Sequence, residues 1–444
     1  MSRDAHLDPS LHRGRRQRLL DSLGPGVLIV PTARETKRNG DVLHEFRPGS
    51  DFHYLTGFPE PDAVLVAVKT DRRRHRAILF VRERDPAREI WDGPRHGSAG
   101  AIRRFGADEA HAIGELWRKL PDLVPEGQPV FHTLGRDRDF DRRLLDSFAA
   151  AASRQRRRLL PMHPPIVDPG PVLARQRQVK DRSELAAMQR AAELTVAGHI
   201  ALARSVRPGM YEYEAQAVLE AEFRRGGSPR NGYPSIVASG SNACVLHYHE
   251  NSRRMRAGDL LLVDAGAEVQ GCTADVTRTI PVSGRFTDAQ AAVYRIVLRA
   301  QLAGIRACKA GARWDAAHRA CLRALTRGLV ELGVLRGDAA RLVRDQRYRP
   351  YYMHGTSHWL GRDVHDVGGY EGADGAALPL PAGAVLTVEP GLYFGPRDTS
   401  VPRELRGIGV RIEDDVHVTR GGPRVLTDAA PKSVDALERL AARP

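Results

Sequence analysis

The spacing of apolar and polar residues predicts alternating strands and helices in the first third of the chain. Short β-branched runs typical of buried strands occupy 26–30, 63–68, 77–81 and 129–131. Two further segments, 108–120 and 141–152, have helical spacing. This alternation predicts an α/β domain.

A Pro-rich segment separates this part of the chain from the next. Residues 162–178 contain four prolines, and we expect them to interrupt regular structure. We therefore predict an N-terminal domain over 1–172 and a second domain over 173–444.

The second domain repeats one order of elements. An amphipathic helix capped by Asp181 and a second helix over 211–225 precede strands that contain two aspartates. Helices over 288–309 and 314–333 then precede strands that contain two glutamates. The repeat predicts two similar halves that face each other, with the acidic residues between them.

Four carboxylates end or interrupt strongly apolar strands in this domain. They are Asp264 in LLLVD, Asp275 in CTADV, Glu389 in VLTVEPG and Glu413 in GVRIEDD. A buried ionised carboxylate is costly unless a positive group compensates it. No Lys or Arg is patterned to do so at every position, so the sequence predicts bound metal ions. For Glu413 the alternative is an outward-facing side chain paired with a neighbouring arginine.

A hairpin joins Asp264 and Asp275, which flank AGAEVQGCTA. If its centre lies between Val269 and Gln270, the two aspartates are directly opposite, about 5 Å apart at Cβ. Two like charges at that distance raise one pKa unless a cation lies between them. An exposed pair at the hairpin mouth is the alternative, and the apolar run before Asp264 argues against it.

Three histidines, His354, His358 and His365, lie within MHGTSHWLGRDVHD. Gly355 and the missing glutamate argue against a helical HExxH zinc site, and Trp359 favours an extended segment. Four carboxylates and one imidazole form an oxygen-rich set that suits manganese or cobalt. Because carboxylates can bridge, the set can hold two ions and a shared hydroxide, which is a nucleophile at neutral pH.

Composition limits the other classes of protein. Hydrophobic residues make up 42% of the 444 residues, enough for globular cores. No apolar run reaches the roughly 18 residues of a membrane-spanning helix, and the N-terminus lacks the apolar region of a signal peptide. The four cysteines have no CxxC spacing and indicate reduced thiols in a cytoplasmic protein.

The net charge of +14 raises the question of nucleic-acid binding. The arginine runs at 13–16, 72–76 and 154–158 have little aromatic interleaving, and no nucleic-acid-binding motif accompanies them. We interpret them as solvated arginines and expect neither a nucleic-acid nor a membrane partner.

Five motifs resemble those of one known family. In chain order they are SDFHYLTGF, VDAGAEVQGCTADVTRT, MHGTSHWLGRDVHDVG, TVEPGLY and GVRIEDD. They resemble the pita-bread metallopeptidases, most closely the Xaa-Pro aminopeptidases (aminopeptidase P). The resemblance implies an α/β (α+β) protein. A creatinase-like N-terminal domain would precede a pita-bread domain with a curved, mainly antiparallel sheet and pseudo-twofold halves.

The resemblance also implies a role for each site residue. Asp264 would bind one metal, His358 and Glu389 the other, and Asp275 and Glu413 would bridge the two ions. Glu389 would also shuttle protons to and from the bridging hydroxide. His247, His354 and His365 would steady the substrate carbonyl, the intermediate and the leaving nitrogen. Arg411 and Tyr393 would line the pocket. Asp264 would also accept a hydrogen bond from the substrate amine.

The expected activity is release of the N-terminal residue from Xaa-Pro-Yaa peptides. Prolidase, which cuts Xaa-Pro dipeptides, is the alternative. The usual prolidase motif resembles HGxGH, whereas this chain has HGTSHWLG, which favours the aminopeptidase. A relative that binds peptides without cutting them would usually have lost metal ligands. His249 departs from the family pattern and is either exposed or a polar contact at the cleft. We expect manganese, with zinc or cobalt as alternatives, and a homodimer or homotetramer.

Overall fold

The chain forms two compact units, Met1–Gln176 and Arg177–Pro444. The computed structural model describes residues 8–71, 75–154 and 163–441. The domain boundary predicted at 172/173 stays a prediction.

The first unit is built on a six-stranded mixed sheet in the order β6-β5-β4-β1-β7-β8. Its strands, with the separate β2–β3 pair, are β1 Gly26–Pro31, β2 Lys37–Asn39, β3 Val42–Leu43, β4 Val64–Lys69, β5 Arg76–Val81, β6 Glu109–Ala112, β7 Val130–Phe131 and β8 Ile166–Val167. The helices are α1 Pro9–Leu23, α2 Ser50–Thr56, α3 Pro86–Asp92, α4 Gly97–Phe105, α5 Leu116–Leu123, α6 Arg138–Arg154 and α7 Gly170–Gln178. Alternate residues of β1, β4 and β5 enter two separate apolar cores.

Two local predictions in this region were wrong. The segment 108–120 is not one helix, because Glu109–Ala112 pairs in parallel with β5 and the α-helix begins only at Leu116. The described part of the second segment, 163–178, is also not irregular throughout, since it contains β8 and α7. Pro171 lies in the first turn of α7, where a missing N–H costs no helical hydrogen bond.

The interpretation of the early arginines as solvated was also wrong for two of them. Arg15 and Arg16 are each 1% exposed. Arg16 donates to the Leu55 carbonyl at 2.7 Å, and the Arg15 guanidinium lies 4.3 Å from the centre of the Tyr54 ring. They are core residues with carbonyl and aromatic partners. Residues 72–74 and 155–158 lie outside the described residues.

The second unit contains the repeated order of helices and strands. Its helices are α8 Arg182–Ser205, α9 Glu212–Arg225, α10 Asp288–Ala307, α11 Ala316–Glu331, α12 Ala339–Arg344 and α13 Val434–Ala441. Its strands are β9 Arg230–Asn231, β10 Ile236–Ser239, β11 Leu260–Ala265, β12 Ala267–Val269, β13 Cys272–Thr273, β14 Val276–Pro281, β15 Val385–Val388, β16 Gly391–Tyr393, β17 Gly409–Arg411, β18 Asp414–Thr419 and β19 Gly422–Val425.

Each half of this unit contributes an antiparallel three-stranded sheet, β10-β11-β14 and β15-β18-β19. The predicted cap of α8 is present, because the Asp181 carboxylate accepts the N–H groups of Ser183 and Glu184 at 3.0 Å. Among the described residues, no helix has the length and apolar character needed to cross a bilayer.

The register of the aspartate hairpin differs from the prediction. Gln270 and Gly271 form its two-residue turn, with φ of 56° and 73°. Positive φ at both positions is the signature of a type I′ turn, and it places the centre between these two residues. Asp264 therefore pairs with Thr277 and not with Asp275.

Gly266 allows the strands at this hairpin to approach closely. A Cβ at this position would lie 1.8 Å from the Ala274 carbonyl oxygen, a backbone atom that cannot rotate away. Because Ala274 precedes Asp275, the close approach also determines where that carboxylate lies.

Gly266→Ala is expected to lower the free energy of unfolding by about 1–3 kcal/mol, the usual penalty of overpacking. Gly421→Ala is the matched control, since its nearest contact would be the Thr419 hydroxyl at 3.8 Å. We expect the control to change stability by less than about 0.5 kcal/mol. Urea unfolding of both variants measures the difference, and equal stabilities would contradict the role of Gly266.

Candidate metal centre

The second unit contains a cavity of about 420 Å³ to which the predicted site residues converge. The predicted residues that line it are His247, Asp264, Asp275, His354, His358, His365, Glu389, Arg411 and Glu413. Tyr393 does not line the cavity but contacts two of these residues from its buried position. The structure thus brings together side chains from four separate motifs.

The ends of strands from both halves place the acidic side chains. Asp264 lies in β11, Asp275 precedes β14, Glu389 follows β15 and Glu413 precedes β18. The two halves connect directly at Glu413, whose N–H donates to the Thr277 carbonyl at 3.1 Å. The Thr277 hydroxyl in turn donates to the Glu413 carboxylate at 2.6 Å.

Three of the five predicted ligands form a compact group. Potential ligand atoms of Asp275, His358 and Glu413 all lie within 4.8 Å of one another. The Tyr233 hydroxyl joins Asp264 to this group, since it contacts both Asp264, at 2.7 Å, and Asp275. Glu389 is adjacent, with Oε1 3.8 Å from His358 Nε2.

Backbone contacts orient the His358 ring. Nδ1 lies 3.1 Å from the Trp359 carbonyl oxygen, which can only accept, so Nδ1 carries the proton. Nε2 then faces Asp275 at 3.4 Å and Glu389 at 3.8 Å. Burial alone would lower the pKa of His358, but the hydrogen bond and charge of Asp275, with the charge of Glu389, raise it to about 9. A lone pair facing two carboxylates requires a proton or a metal ion between them.

The acidic residues are poorly compensated by protein groups. Burial, followed by the charges of Asp275 and Glu389, raises the pKa of Glu413 well above its usual range. Burial likewise raises the pKa of Asp275 and raises that of Glu389 to about 7. Arg411 is the one Lys or Arg among the described residues that line the cavity. The donor set therefore fits divalent cations, which would compensate the charges that Arg411 does not reach.

Arg411 begins a directional chain of hydrogen bonds. It pairs with Asp264 at 2.7 Å and donates to the Tyr393 hydroxyl at 3.1 Å. Tyr393 then donates to His354 Nε2 at 2.8 Å, and His354 Nδ1 donates to the Gly355 carbonyl at 2.7 Å. Burial and the Arg411 charge lower the pKa of His354 to about 3, so this imidazole is neutral.

The other histidines lie at the rim of the cavity. His247 and His249 are exposed, with stacked rings 6.3 Å apart, and His249 also lines the cavity. His365 packs edge-on against His358 at 4.4 Å, and burial lowers its pKa. The rim thus offers imidazoles to a bound molecule.

The sequence did not reveal three contributors to the site. Tyr233 bridges two acids from a loop, and Thr277 hydrogen-bonds Glu413 from a strand. Asp415 accepts the Asp275 N–H with both oxygens at 3.2 Å, and burial followed by the Asp275 charge raises its pKa. Asp415 and Thr277 lie within the motifs GVRIEDD and VDAGAEVQGCTADVTRT, whereas Tyr233 lies outside the five motifs.

Two family models match the chain. The model for metallopeptidase family M24 matches residues 186–420, and the model for the aminopeptidase P N-terminal domain matches residues 12–131. Together they cover parts of both units.

Relatives of known function match over nearly the whole chain. The Xaa-Pro aminopeptidase of Escherichia coli is 41% identical over 427 residues, which is 96% of each chain. Xaa-Pro aminopeptidase 3 of Rattus norvegicus is 34% identical over 414 residues, covering 91% of this chain and 78% of the relative.

Solved structures agree with these matches. Pseudomonas aeruginosa aminopeptidase PepP matches with a TM-score of 0.94 and 45% identity over 98% of both chains. Zinc-substituted E. coli aminopeptidase P in complex with product matches with a TM-score of 0.93 and 40% identity, also over 98% of both chains. These likenesses confirm the predicted fold class.

The metal-free protein is expected to lose stability as the pH rises from about 6.5 to about 9. The folded-state pKa values of Glu413 and His358 are raised, so the folded state binds more protons there than the unfolded chain. Their stabilisation is therefore lost as the pH rises through the folded values. His354 and His199, whose pKa values are lowered to about 3 and about 4, are neutral in both states over most of this window.

Unfolding of the chelator-treated protein at several pH values tests this expectation. Glu413→Gln removes one of the groups whose folded-state pKa is raised, which also include Asp275, Asp415 and Glu389, and should make the slope shallower by up to ~1.4 kcal/mol per pH unit. An unchanged slope in the variant would contradict the assignment.

Proposed function

The chain belongs to metallopeptidase family M24, with the N-terminal domain of the aminopeptidase P branch, and from this premise we propose how its residues act. It is a hydrolase that releases the N-terminal residue from peptides with proline in second position. The observation that carries the proposal is the convergence of four carboxylates with His358 in one cavity, three of them buried and Glu389 partly buried. Such an array is typical of a binuclear metal site.

We propose that Asp264 is a ligand of one ion, that His358 and Glu389 are ligands of the other, and that Asp275 and Glu413 are ligands of both. When bound, two divalent ions would polarise the scissile carbonyl and supply a nucleophile at neutral pH. The oxygen-rich donor set supports manganese, with zinc and cobalt as alternatives.

Glu389 is the proposed proton carrier. Burial raises the pKa of its carboxyl to about 7 in the metal-free site, and a carboxylate beside the reacting atoms can act as general base and general acid. Cleavage forms a carbon–oxygen bond to water and breaks the bond to the prolyl nitrogen. We propose that Glu389 takes the proton from the water and delivers it to that nitrogen as it leaves.

The remaining residues orient the substrate. A bond before proline has no N–H, so an enzyme for it cannot bind the peptide through that group. The proposed contacts are instead with the free amine, through Asp264, and with the carbonyl and leaving nitrogen, through His247 and His365. Arg411 and Tyr393 hold His354 neutral in one orientation beside them.

Chelation should abolish hydrolysis, and re-addition of manganese, zinc or cobalt should restore it to different extents. An Xaa-Pro-Yaa tripeptide should be cut faster than the Xaa-Pro dipeptide made from the same residues. The outcome is measured as kcat/KM for both substrates with each metal. A preference for the dipeptide would reassign the chain to prolidase, and full activity without metal would contradict a metallopeptidase.

The same assay tests the individual ligands. Asp275→Asn and Glu413→Gln should each lower kcat/KM by more than roughly 10–100-fold. That is the loss caused by removing a residue that hydrogen-bonds a metal ligand without binding the metal itself. Glu331→Gln is the control, because this carboxylate is exposed and pairs only with Arg299 on the surface. Undiminished hydrolysis in the first two variants, with unchanged metal content, would contradict the proposed binuclear site.

We propose that the protein is a homodimer or homotetramer acting in the cytoplasm. Two large apolar side chains on α3, Ile90 and Trp91, are 82% and 83% exposed, as expected of an interface. The four cysteines, three of them buried, lack CxxC spacing, which supports a reducing compartment. Residues 1–172 and 173–444 remain the proposed domains.

Replacing Ile90 and Trp91 together with alanine should shift the protein towards the monomer. Loss of a buried aromatic anchor typically costs about 2 kcal/mol or more of association free energy. Sedimentation over a range of concentrations measures the shift, and Leu145→Ala, at a 49% exposed position, is the control. A wild-type protein that is monomeric throughout would refute the proposed assembly.

A further inference from the structure

We propose that Glu212, the first residue of α9, positions His247 for the reaction by fixing both ends of the loop 240–253. The inference rests on the proposed function, because it takes His247 to contact the substrate. Glu212 lies outside the cavity lining and would act only through the loop.

The loop has little regular structure of its own. It consists of one 3₁₀ turn at Gly240–Cys244, a turn at 246–247, and residues without regular structure up to Arg253. It nevertheless supplies Leu246, His247 and His249 to the cavity. A ring on an irregular and exposed loop requires an anchor if it is to keep one position.

Glu212 contacts the beginning of the loop with one carboxylate oxygen. Oε1 accepts the Ser239 N–H at 2.6 Å and the Ser239 hydroxyl at 2.7 Å. The Asn242 amide donates to the same oxygen at 3.3 Å. These contacts fix the point where β10 ends and the 3₁₀ turn begins.

The other oxygen contacts the end of the loop. Oε2 accepts the Tyr248 hydroxyl at 2.8 Å and the Arg253 N–H at 2.9 Å. The Glu212 N–H also donates to the Arg253 carbonyl at 3.0 Å. Tyr248 directly follows His247, so this hydrogen bond lies one residue from the imidazole.

The position requires a carboxylate rather than an amide. The Glu212 side chain is 0% exposed, and all five donors are neutral groups that point towards it. A carboxylate only accepts, whereas a glutamine would turn an N–H₂ group towards two of these donors. The start of α9 adds a favourable dipole for the negative charge.

Asn251 also anchors the loop, but at a different place from Glu212. Asn251 accepts the Val237 N–H at 2.9 Å and donates to Gln216 and to the Ser235 carbonyl at 2.9 Å. It joins the last part of the loop to β10 and α9, but it contacts neither the 3₁₀ turn nor Tyr248 in these bonds. Arg253 also donates to the Ser239 hydroxyl at 2.6 Å, and Ala243 and Tyr248 pack into an apolar core, so loss of Glu212 would loosen the part of the loop that contains His247 without releasing it entirely.

The experiment compares Glu212→Gln with Glu214→Gln in the metal-loaded protein. Glu214 lies in the same helical turn but is exposed and caps the Tyr211 N–H. Glu212→Gln should lower kcat/KM on the tripeptide by up to about 100-fold, the loss that a 1 Å misplacement can cause. Glu214→Gln should match the wild type, and both variants should retain full metal content.

A double-mutant cycle separates positioning from general damage. If Glu212 acts through His247, Glu212→Gln should have no further effect in a His247→Ala background. The proposal would be overturned if Glu212→Gln lowered kcat/KM equally in the wild-type and His247→Ala backgrounds. It would also be overturned if Glu212→Gln did not lower kcat/KM in the wild-type background. If the wild-type protein does not cut the tripeptide, the proposed function fails instead, and the two failures are thereby distinguished.

Hydrogen exchange provides a readout that does not depend on activity. Amides of residues 240–253 should exchange faster in Glu212→Gln and unchanged in Glu214→Gln. Tyr248→Phe removes one of the five hydrogen bonds and should give a smaller change in the same direction, which covers the case in which Glu212→Gln does not fold. Unchanged exchange of the loop in both Glu212→Gln and Tyr248→Phe would also overturn the proposal.

Discussion

The second unit depends on holding four carboxylates together in one cavity, three of them buried and Glu389 partly buried. Their mutual repulsion and lost hydration oppose folding, as the raised pKa values of Asp275, Glu389 and Glu413 indicate. The protein compensates Asp264 with Arg411, and neutral hydroxyls contact two of the others, Tyr233 at Asp275 and Thr277 at Glu413. The cavity therefore retains an excess of negative charge, and cations bound among these carboxylates would neutralise it. Stability and the proposed function thus depend on the same residues.

Sequence reasoning could select candidates where the relevant information was local. An acidic residue at the end of an apolar run is costly to bury, so Asp264 and Glu389 could be proposed as ligands without a structure, and both line the cavity. The exact pairing of the hairpin could not, because it depended on positive φ at Gln270 and Gly271. Tyr233 escaped notice because it reaches Asp264 only through the folded arrangement of separate strands.

The same distinction explains the errors in the first unit. Arg15 and Arg16 appeared solvated because charge normally favours the surface. Both can be buried because carbonyl oxygens at the end of α2 accept hydrogen bonds from their guanidinium groups. The strand at Glu109–Ala112 lies on the sheet edge beside β5, and its polar residues conceal the strand pattern. In both cases a partner distant in sequence determined the outcome.

Arg411 also determines how charge is distributed at one end of the site. At Asp264 burial raises the pKa of the carboxyl, and the positive charge of Arg411 lowers it. At His354 burial and the charge of Arg411 both lower the pKa of the imidazole. One group consequently remains an anion and its neighbour remains neutral over the same pH range. Because the hydrogen bonds run from Arg411 through Tyr393 to His354, the proton positions are fixed as well. A lysine could not reproduce this arrangement, since it lacks the planar set of donors that reaches Asp264 and Tyr393 together.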